Sequence, residues 1–411
     1  MKYSNSLKYM NSFSPAEISR EDISQKRAAM LCESLGRINL GMRCICLPCC
    51  GAGHTSALML ESVMVCAGHN VGRITSAYNF DSRSSVLING EIPAIEDYNG
   101  AVEELKSALK RNPDVPFTRE ETTFVLGLLL CKMNGCEYVI LEGLSGVDFS
   151  LDAVCAPYDL IVTPTFYGCE SDADRLKCLC DTIRRGTREV VSGNQRSEIY
   201  NTISNACAIS GARLNIPVKA QLEVEVVSSR SLSFSYVGRD GFTLKNPSYI
   251  ARDCAITVIE AALALRRGGV RIPWNSITAG LSAATASGCF DMLSLSPKLI
   301  LDASTGAEEA SMLKRTACEL WGENVFGGVT LCISDSALDV VNAFGENEVA
   351  SLMVCVSGDN DIPGGAVAFA SLKKAAREIC DVMRSGRDVV CFGDVGFISS
   401  LKCELLKLMN G

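Results

Sequence analysis

The chain has 411 residues, of which 47% are hydrophobic and 21% charged, as expected for a globular protein of two or three domains. Its 39 basic and 47 acidic residues give a net charge of −8, which argues against a nucleic-acid-binding protein. No apolar run approaches the roughly 20 residues of a membrane helix, and the polar N-terminus lacks the apolar stretch of a signal peptide. We therefore expect a soluble, cytoplasmic protein with no nucleic-acid or membrane partner.

Cysteine and histidine are used in unusual proportions, with 21 cysteines and only two histidines, His54 and His69. Because cytosolic thiols stay reduced, the cysteines do not predict a disulfide framework. Many lie in apolar runs such as LGLLLCKM and VVCFG, where cysteine acts as a small hydrophobic residue. Two histidines exclude a His-rich metal site.

The first part of the chain alternates short apolar strands with longer helical patterns. The predicted strands are RCICLP, VGRITSA, EYVILEG and YDLIVTPT, and the predicted helices are SALMLESVMVCAGH, AVEELKSALKR, FVLGLLLCKMNG and RSEIYNTISNACAISG, the last closed by Gly211. This alternation predicts an α/β fold with a mostly parallel sheet.

The pattern changes after the helix that Gly211 closes. AQLEVEVVSS and SLSFSYVG alternate apolar and polar residues, which predicts antiparallel strands attached to the first domain, with GRDGFTL adding a turn. A second βα series begins near residue 296 with PKLILDAS, the helix GAEEASMLKRTACELWG and three further strands with helices between them. We predict a large domain over 1–290 and a smaller one over 296–411.

The first strand–turn–helix contains the turn CCGAGHTS at 49–56, with Gly51 and Gly53. A glycine-bearing turn before a helix can cradle phosphate with backbone N–H groups, and Thr55 or Ser56 can supply a hydroxyl to Mg²⁺. His54 could face a phosphate or another anion, or be an ordinary residue at a helix start. A tight connection without a ligand is the alternative for the whole turn.

A working P-loop also needs a lysine beside the β- and γ-phosphates. No Gly-Lys dipeptide occurs in the chain, and no lysine lies between Lys26 and Lys106. Cys46 and Cys49 have the spacing of metal ligands, but a second such pair is absent and Cys46 lies on a predicted buried strand. Core packing is therefore the alternative for these cysteines.

Taken together, these segments resemble the folylpolyglutamate synthases of the Mur-ligase superfamily. The family's loop GTNGKGST resembles the turn at 49–56, and VLINGEIP, VILEGLSGVDFSLDAV, EVVSGNQRSEIYNTISNACAISGARL and LILDASTGAEEASML resemble family segments in the same order. The resemblance covers nearly the whole chain. It implies a Mur-ligase-like α/β fold: a large P-loop-type domain with a mostly parallel sheet, plus a smaller C-terminal Rossmann-like domain.

The resemblance also implies a reaction, the ATP-dependent joining of glutamate to folate through an acyl phosphate, in a cleft between the two domains. ATP and Mg²⁺ would be the cofactors, and a folate-like or other carboxylate molecule the substrate. The implied nucleotide-binding residues are Gly51, Gly53, His54, Thr55, Ser56 and Asp302, and the implied metal ligands are Thr55 and Glu142. From its place at a strand end, Glu142 is equally suited to a salt bridge or a helix cap, and Asp302 to a helix cap.

The chain differs from the family at the positions of the family's catalytic and ligand-binding residues. The P-loop lysine falls on Gly53 or His54, and the catalytic-loop Pro-His pair on Ala77 and Tyr78. At the other positions that differ, the family's own residues are given in parentheses. These positions are Ser84 and Ser85 (a Glu-Arg pair), Cys180 (a modified lysine), Tyr249, Ile250 and Asp253 (the His, Gln and Asn of HQ..N), Cys289 (the arginine of PGR), and Thr305 and Gly306 (a His-Asn pair).

These departures predict a folylpolyglutamate-synthase-like protein whose ligase activity is lost or strongly altered, and which acts as a pseudoenzyme or as the binding subunit of a protein partner. An active ATP-dependent amide ligase on a folate or another carboxylate is the first alternative. The second is changed chemistry that uses Cys49, Cys50, Cys180 and Cys289. No catalytic residue is assigned, and whether the chain is an enzyme stays open.

Overall fold

The structure is a computed structural model. It describes residues 2–14, 21–48, 52–75, 82–143, 151–167, 172–183, 187–285, 288–345, 347–356 and 363–409. The chain forms two compact units. The first contains Met1–Thr165, Ala173–Pro217 and Ala255–Leu281, and the second contains Phe166–Asp172, Val218–Cys254 and Ser282–Gly411. The division of the sequence into 1–290 and 296–411 stays a prediction.

A seven-stranded sheet forms the centre of the first unit, with the strand order β3-β2-β4-β1-β5-β6-β7. Its strands are β1 (Arg43–Leu47), β2 (Val71–Thr75), β3 (Val86–Ile88), β4 (Tyr138–Glu142), β5 (Leu160–Thr163), β6 (Glu189–Ser192) and β7 (Arg213–Asn215). All neighbouring pairs are parallel except β2 and β3. The predicted mostly parallel sheet is confirmed.

Helices accompany this sheet. They are α1 (Tyr3–Met10), α2 (Glu21–Ser34), α3 (Ala52–Cys66), α4 (Ile95–Leu109), α5 (Arg119–Met133), α6 (Asp172–Ile183), α7 (Ser197–Ser210), α8 (Tyr249–Arg267) and α9 (Trp274–Ala283). Thr118 and Glu121 form a capping box at the start of α5, which satisfies backbone donors that the first turn leaves free. Helix α7 ends at Gly211, which adopts the left-handed conformation that glycine allows, as the sequence predicts.

The strands at the centre of this sheet are buried on both faces, as parallel sheets covered by helices usually are. All five residues of β4 are buried, and so are four of the five in β1. Cys44 and Cys46 are 3% and 1% exposed on β1, which confirms their expected packing as small hydrophobic residues.

The second unit contains a three-stranded antiparallel sheet with the order β10-β9-β8. Its strands are β8 (Leu222–Ser228), β9 (Ser231–Tyr236) and β10 (Arg239–Leu244). The antiparallel pairing is confirmed, but GRDGFTL forms the third strand rather than a turn. Phe234 and Phe242 face each other across β9 and β10, stacked at 5.2 Å, and this burial stabilises the third strand.

A six-stranded sheet completes the second unit, with the order β11-β12-β16-β13-β14-β15. Its strands are β11 (Asp291–Leu295), β12 (Lys298–Asp302), β13 (Val329–Ser334), β14 (Val349–Cys355), β15 (Val367–Phe369) and β16 (Val389–Phe392), and its helices are α10 (Ala307–Trp321), α11 (Leu372–Arg384) and α12 (Val395–Met409). Only β11 and β12 pair antiparallel, so the predicted second βα series is confirmed. Between β13 and β14 the described chain forms a kinked 3-10 segment, Asp335–Ala343, instead of the expected α-helix.

Among the described residues, no helix combines the length and the apolar character that crossing a bilayer would require.

Candidate functional site

The candidate site lies at the carboxyl edge of the seven-stranded sheet, beside β1. Leu47 and Thr75, at the ends of β1 and β2, both pair with Glu142 at the end of β4. From β1 the chain passes through α3 to β2 on one side, and from β4 it passes to β5 on the other. Ligands of open α/β sheets bind where the chain changes direction in this way.

Four of the predicted nucleotide-binding residues lie in the first two turns of α3. Gly53, Thr55 and Ser56 are buried, whereas His54 is partly exposed. The Ser56 hydroxyl has no hydrogen-bond partner in the described part of the chain, although the side chain is fully buried. Gly51, together with Cys49 and Cys50, lies outside the described residues.

Glu142 uses both of its carboxylate oxygens in contacts with basic side chains. His54 Nδ1 lies 2.7 Å from Oε1, and Arg73 Nη1 donates to Oε2 over 2.6 Å. Burial raises the pKa of Glu142, but the charges and hydrogen bonds of His54 and Arg73 prevail and lower that pKa to about 2. Glu142 is therefore an ionised, buried carboxylate in a salt bridge, one of the two roles that its place at a strand end predicts.

Arg73 is shared between two carboxylates. Its Nε donates to Glu61 over 2.8 Å, and the other oxygen of Glu61 accepts from the backbone N–H of Gly90. The side chains of Arg73 and Glu61 are each 3% exposed. Burial lowers the pKa of Arg73, but Glu142 and Glu61 outweigh this and raise it, so the guanidinium stays charged. The four side chains of His54, Glu142, Arg73 and Glu61 form what we call the buried ion network.

Sequence reasoning found two members of this network and missed Arg73 and Glu61. The available signal was a charge inside an apolar segment: Arg73 interrupts the strand VGRIT, and Glu61 interrupts the helix ALMLESVMV. Charged side chains are seldom fully buried unless they are paired, so each of them predicts a buried partner. The identity of that partner depends on the register of the strands, and the local sequence pattern does not specify the register.

The buried ion network decides whether Glu142 fits Mg²⁺. Magnesium needs free oxygen ligands in near-ideal octahedral geometry, and both oxygens of Glu142 already accept from Arg73 and His54. A cation bound at this carboxylate would also meet the guanidinium charge of Arg73. In the described part of the chain, no group of three or more potential ligands could hold a metal ion. The residues present therefore do not fit Mg²⁺ at Thr55 and Glu142.

Two more unused polar atoms follow the neighbouring strands of the same sheet. Thr165 Oγ1 follows β5 and Asn194 Nδ2 follows β6, and both atoms are buried without a hydrogen-bond partner among the described residues. Gly193 lies against this turn, because a Cβ added there would approach the backbone nitrogen of Thr165 to 2.6 Å. Buried polar groups left unpaired cost free energy, so groups of this kind at a sheet edge indicate a place for a ligand or water.

Asp302, the remaining predicted nucleotide-binding residue, ends β12 in the second unit. Its carboxylate accepts from the backbone N–H of Phe290 over 2.7 Å, from the backbone N–H of Ser304 over 3.0 Å and from the Ser304 hydroxyl. Burial raises the pKa of Asp302 to about 6, against these hydrogen bonds, which lower it. The helix cap expected as an alternative is wrong, because Gly306 is the N-cap of α10. Asp302 instead stabilises the turn after β12.

The cysteines at departed family positions are packed inside the units. Cys180 on α6 and Cys289 are 7% and 6% exposed, and Cys289 Sγ lies 3.2 Å from the Ser248 hydroxyl. Cys46 Sγ lies 3.3 Å from the buried Asp152 carboxylate. These contacts resemble ordinary core packing of thiols.

Comparison with known proteins places this geometry in a wider context. No protein-family model matches the sequence, and no curated protein matches it. The solved folylpolyglutamate synthetase from Lactobacillus casei matches with a TM-score of 0.77 and 16% identity, over 99% of this chain and 100% of the other. A folylpolyglutamate synthase in complex with AMPPCP and folate matches with a TM-score of 0.81 and 16% identity over the same shares.

A third match is the folylpolyglutamate synthase from Mycobacterium tuberculosis, described as complexed with ADP and AMPPCP. Its TM-score is 0.78 at 14% identity, over 100% of this chain and 99% of the other. At identities this low, the structural match establishes the fold, and the activity has to be argued from the site. The chain therefore has the α/β Mur-ligase fold of the folylpolyglutamate synthases over nearly its whole length.

Proposed function

We propose that this chain is a pseudoenzyme: a binding protein or subunit that keeps the fold of a folylpolyglutamate synthase without its ligase chemistry. The observation that carries the proposal is the engagement of both Glu142 oxygens by Arg73 and His54. The carboxylate expected to hold Mg²⁺ is neutralised from within the protein. A cytoplasmic location, as predicted from the sequence, is part of this proposal.

The missing charges support the same conclusion. Transfer of a phosphoryl group depends on cations that stabilise its developing charge, and each lost contact of this kind costs roughly 10²–10³ in rate. Gly53 or, one residue on, His54 stands at the position of the P-loop lysine, and the basic side chains of His54 and Arg73 are both bound to Glu142. Several such losses together leave little activity, although their effects are not additive.

A ligand site at the sheet edge is the second part of the proposal. Ser56 Oγ, Thr165 Oγ1 and Asn194 Nδ2 are buried hydrogen-bonding atoms without partners in the described structure. They follow β1, β5 and β6, where parallel sheets bind nucleotides and other small molecules. AMPPCP and folate are bound by proteins of this fold, so a nucleotide or a folate-like carboxylate is the ligand class to test first. Any nucleotide would bind without help from Mg²⁺ at Glu142.

The deciding experiment combines calorimetry with an activity assay on the purified full chain. ATP is titrated with and without Mg²⁺, and ligation of labelled glutamate to folate is measured beside an active folylpolyglutamate synthase. We expect no ligation, and any ATP binding to be the same with and without Mg²⁺. Ligation above the enzyme-free background would refute the proposal, and so would ATP binding that requires Mg²⁺.

The alternative function is an active amide ligase, and the match over the full length of both chains favours it. It predicts ligation in the same assay with folate or another carboxylate. The cysteine-based alternative has weaker support, because Cys180 and Cys289 are buried. It predicts at least one thiol that reacts faster than a free peptide cysteine at neutral pH.

A further inference from the structure

We propose that a cluster of arginines at the amino edge of the seven-stranded sheet binds a carboxylate-rich segment of a partner protein. The cluster, which we call the arginine surface, consists of Arg188, Arg213, Arg266 and Arg267. It belongs entirely to the first unit and lies at the opposite edge of the sheet from Glu142. The inference is therefore independent of the ligand site and of the proposed loss of ligase activity.

Strand pairing and hydrogen bonds bring these arginines together. Arg188 precedes β6 and Arg213 begins β7, and the backbone N–H of Arg213 donates to the carbonyl of Arg188 over 2.8 Å. Arg267, the last residue of α8, donates to Asn215 Oδ1 over 2.7 Å and lies 3.3 Å from Glu189. The C-terminus of α8 is thereby fixed beside the start of β6 and the last residue of the short strand β7.

Arg266 extends the surface at the end of α8. The guanidinium of Arg266 lies 5.4 Å from the ring centre of Trp274, and this stacking restrains a side chain that is otherwise flexible. Arg266 is exposed. Arg271 lies apart from this surface, because its backbone carbonyl accepts from His69 Nε2 over 3.0 Å, beside the starts of β2 and β4.

The charges of this surface are mostly uncompensated. The side chains of Arg188, Arg213 and Arg266 form no ion pair or hydrogen bond in the described part of the chain, whereas Arg267 is paired with Glu189. Basic residues in the last turn of a helix interact favourably with its dipole, which accounts for Arg266 and Arg267. It does not account for Arg188 and Arg213, which lie outside helices. Like charges gathered without partners repel one another, so their clustering favours a role in binding.

The chemistry of the surface favours protein carboxylates as the occupant. Guanidinium groups form forked, bidentate hydrogen bonds with carboxylates, and Arg267 already interacts with one in Glu189. Nucleic acid is disfavoured, because a long polyphosphate would extend onto a chain whose net charge is −8. A short segment rich in aspartate and glutamate meets only the local positive charge.

The test uses the full chain and a fluorescent oligoglutamate peptide, with binding followed by fluorescence anisotropy. The triple variant Arg188→Gln, Arg213→Gln, Arg266→Gln removes three charges that have no ion pair and leaves Arg267 in place. The matched control is Lys373→Gln, Lys374→Gln, Arg377→Gln, which removes the same charge from the exposed face of α11. We expect saturable binding that weakens about tenfold in the first variant and less than about twofold in the control.

Three results would overturn the proposal: no saturable binding by the unaltered chain, equal weakening in both triple variants, or tighter binding of a single-stranded RNA or of anionic lipid vesicles than of the peptide. If the glutamine variant fails to fold, Arg188→Lys, Arg213→Lys, Arg266→Lys keeps the charge and removes the two-pronged guanidinium geometry. That variant should bind the peptide about threefold or more weakly than the unaltered chain, and unchanged binding would contradict bidentate recognition.

Discussion

The guanidinium of Arg73 lies 2.6 Å from the carboxylate of Glu142, on neighbouring parallel strands at the buried edge of the larger sheet. Thr75, two residues beyond Arg73 on the same face of β2, is the residue that pairs with Glu142, so the arginine reaches diagonally across the two strands. Glu61 holds the other side of the guanidinium. The arrangement neutralises the buried carboxylate of Glu142 with basic groups of the same chain.

Glu142→Gln should change how stability depends on pH. The pKa of Glu142 is about 2 in the folded chain and near 4.5 when exposed, so its contribution is complete above pH 4.5 and is lost as pH falls toward 2. By pH 3 this loss is roughly 2 kcal/mol. Urea denaturation between pH 5 and pH 3 should therefore show a smaller loss of stability in the variant.

Glu33→Gln is the control for this measurement, because Glu33 forms an exposed pair with Arg37. Exposed pairs contribute little, so its pH dependence should equal that of the unaltered chain. Parallel pH profiles for the unaltered chain and Glu142→Gln would show that Glu142 has an ordinary pKa, which contradicts the buried ion network.

Much of the site's framework could be predicted from the sequence, because it depends on local patterns. RCICL, the turn with its glycines, and YVILE specify β1, the start of α3 and β4, and the end of β4 identifies Glu142 as a candidate. The role of Glu142 could not be predicted. It depends on Arg73 arriving from β2 in one register, and a shift of one residue would turn that side chain to the opposite face.

Contacts between segments that are distant in sequence also explain the other differences between the predicted and the observed structure. GRDGFTL contains two glycines and a polar start, so it resembles a turn, yet Phe242 and Leu244 bury against β9 and hold it as a strand. Asp302 precedes a helix in the sequence, yet a distant backbone N–H, that of Phe290, takes one of its oxygens. In each case a contact between separate segments outweighs the local preference.

Gly280→Ala should destabilise the first unit. Helix α9 packs against α3 at this residue, where the Ser62 hydroxyl donates to the Gly280 carbonyl over 2.8 Å. An added Cβ would lie 2.6 Å from the backbone nitrogen of Val63, a clash that only movement of the helices could relieve. We expect a loss of roughly 2 kcal/mol in urea denaturation.

Gly100→Ala is the matched control for the same substitution in a helix. Its added Cβ would have one ordinary contact, at 3.6 Å, on the exposed side of α4. Alanine is the better helix former, so this variant should gain about 0.5–1 kcal/mol. Equal effects at the two positions would mean that α9 and α3 do not approach as closely as described.

Asp302→Asn should flatten the dependence of stability on pH near neutrality. The pKa of Asp302 is raised to about 6, above its ordinary value of 3.8, so the folded chain binds more protons than the unfolded chain between these values. Stability contributed by this group is therefore present below pH 4 and lost as pH rises toward 6. Urea denaturation at pH 5 and pH 7 should show a smaller difference in the variant. An unchanged difference would contradict a raised pKa.

Gly53→Lys tests whether the missing P-loop lysine alone explains the proposed loss of activity. A Cβ at Gly53 would meet no atom of the described residues within 4 Å, so the substitution should be tolerated. Gly53→Ala controls for the change in helix propensity without adding charge. Under the proposed function the new ammonium supplies one of several missing charges, and both oxygens of Glu142 stay bound to Arg73 and His54. We expect no glutamate ligation by either variant in the assay with folate and MgATP. Ligation by Gly53→Lys alone would mean that the buried ion network does not block the chemistry, and that one charge separates this chain from an active ligase.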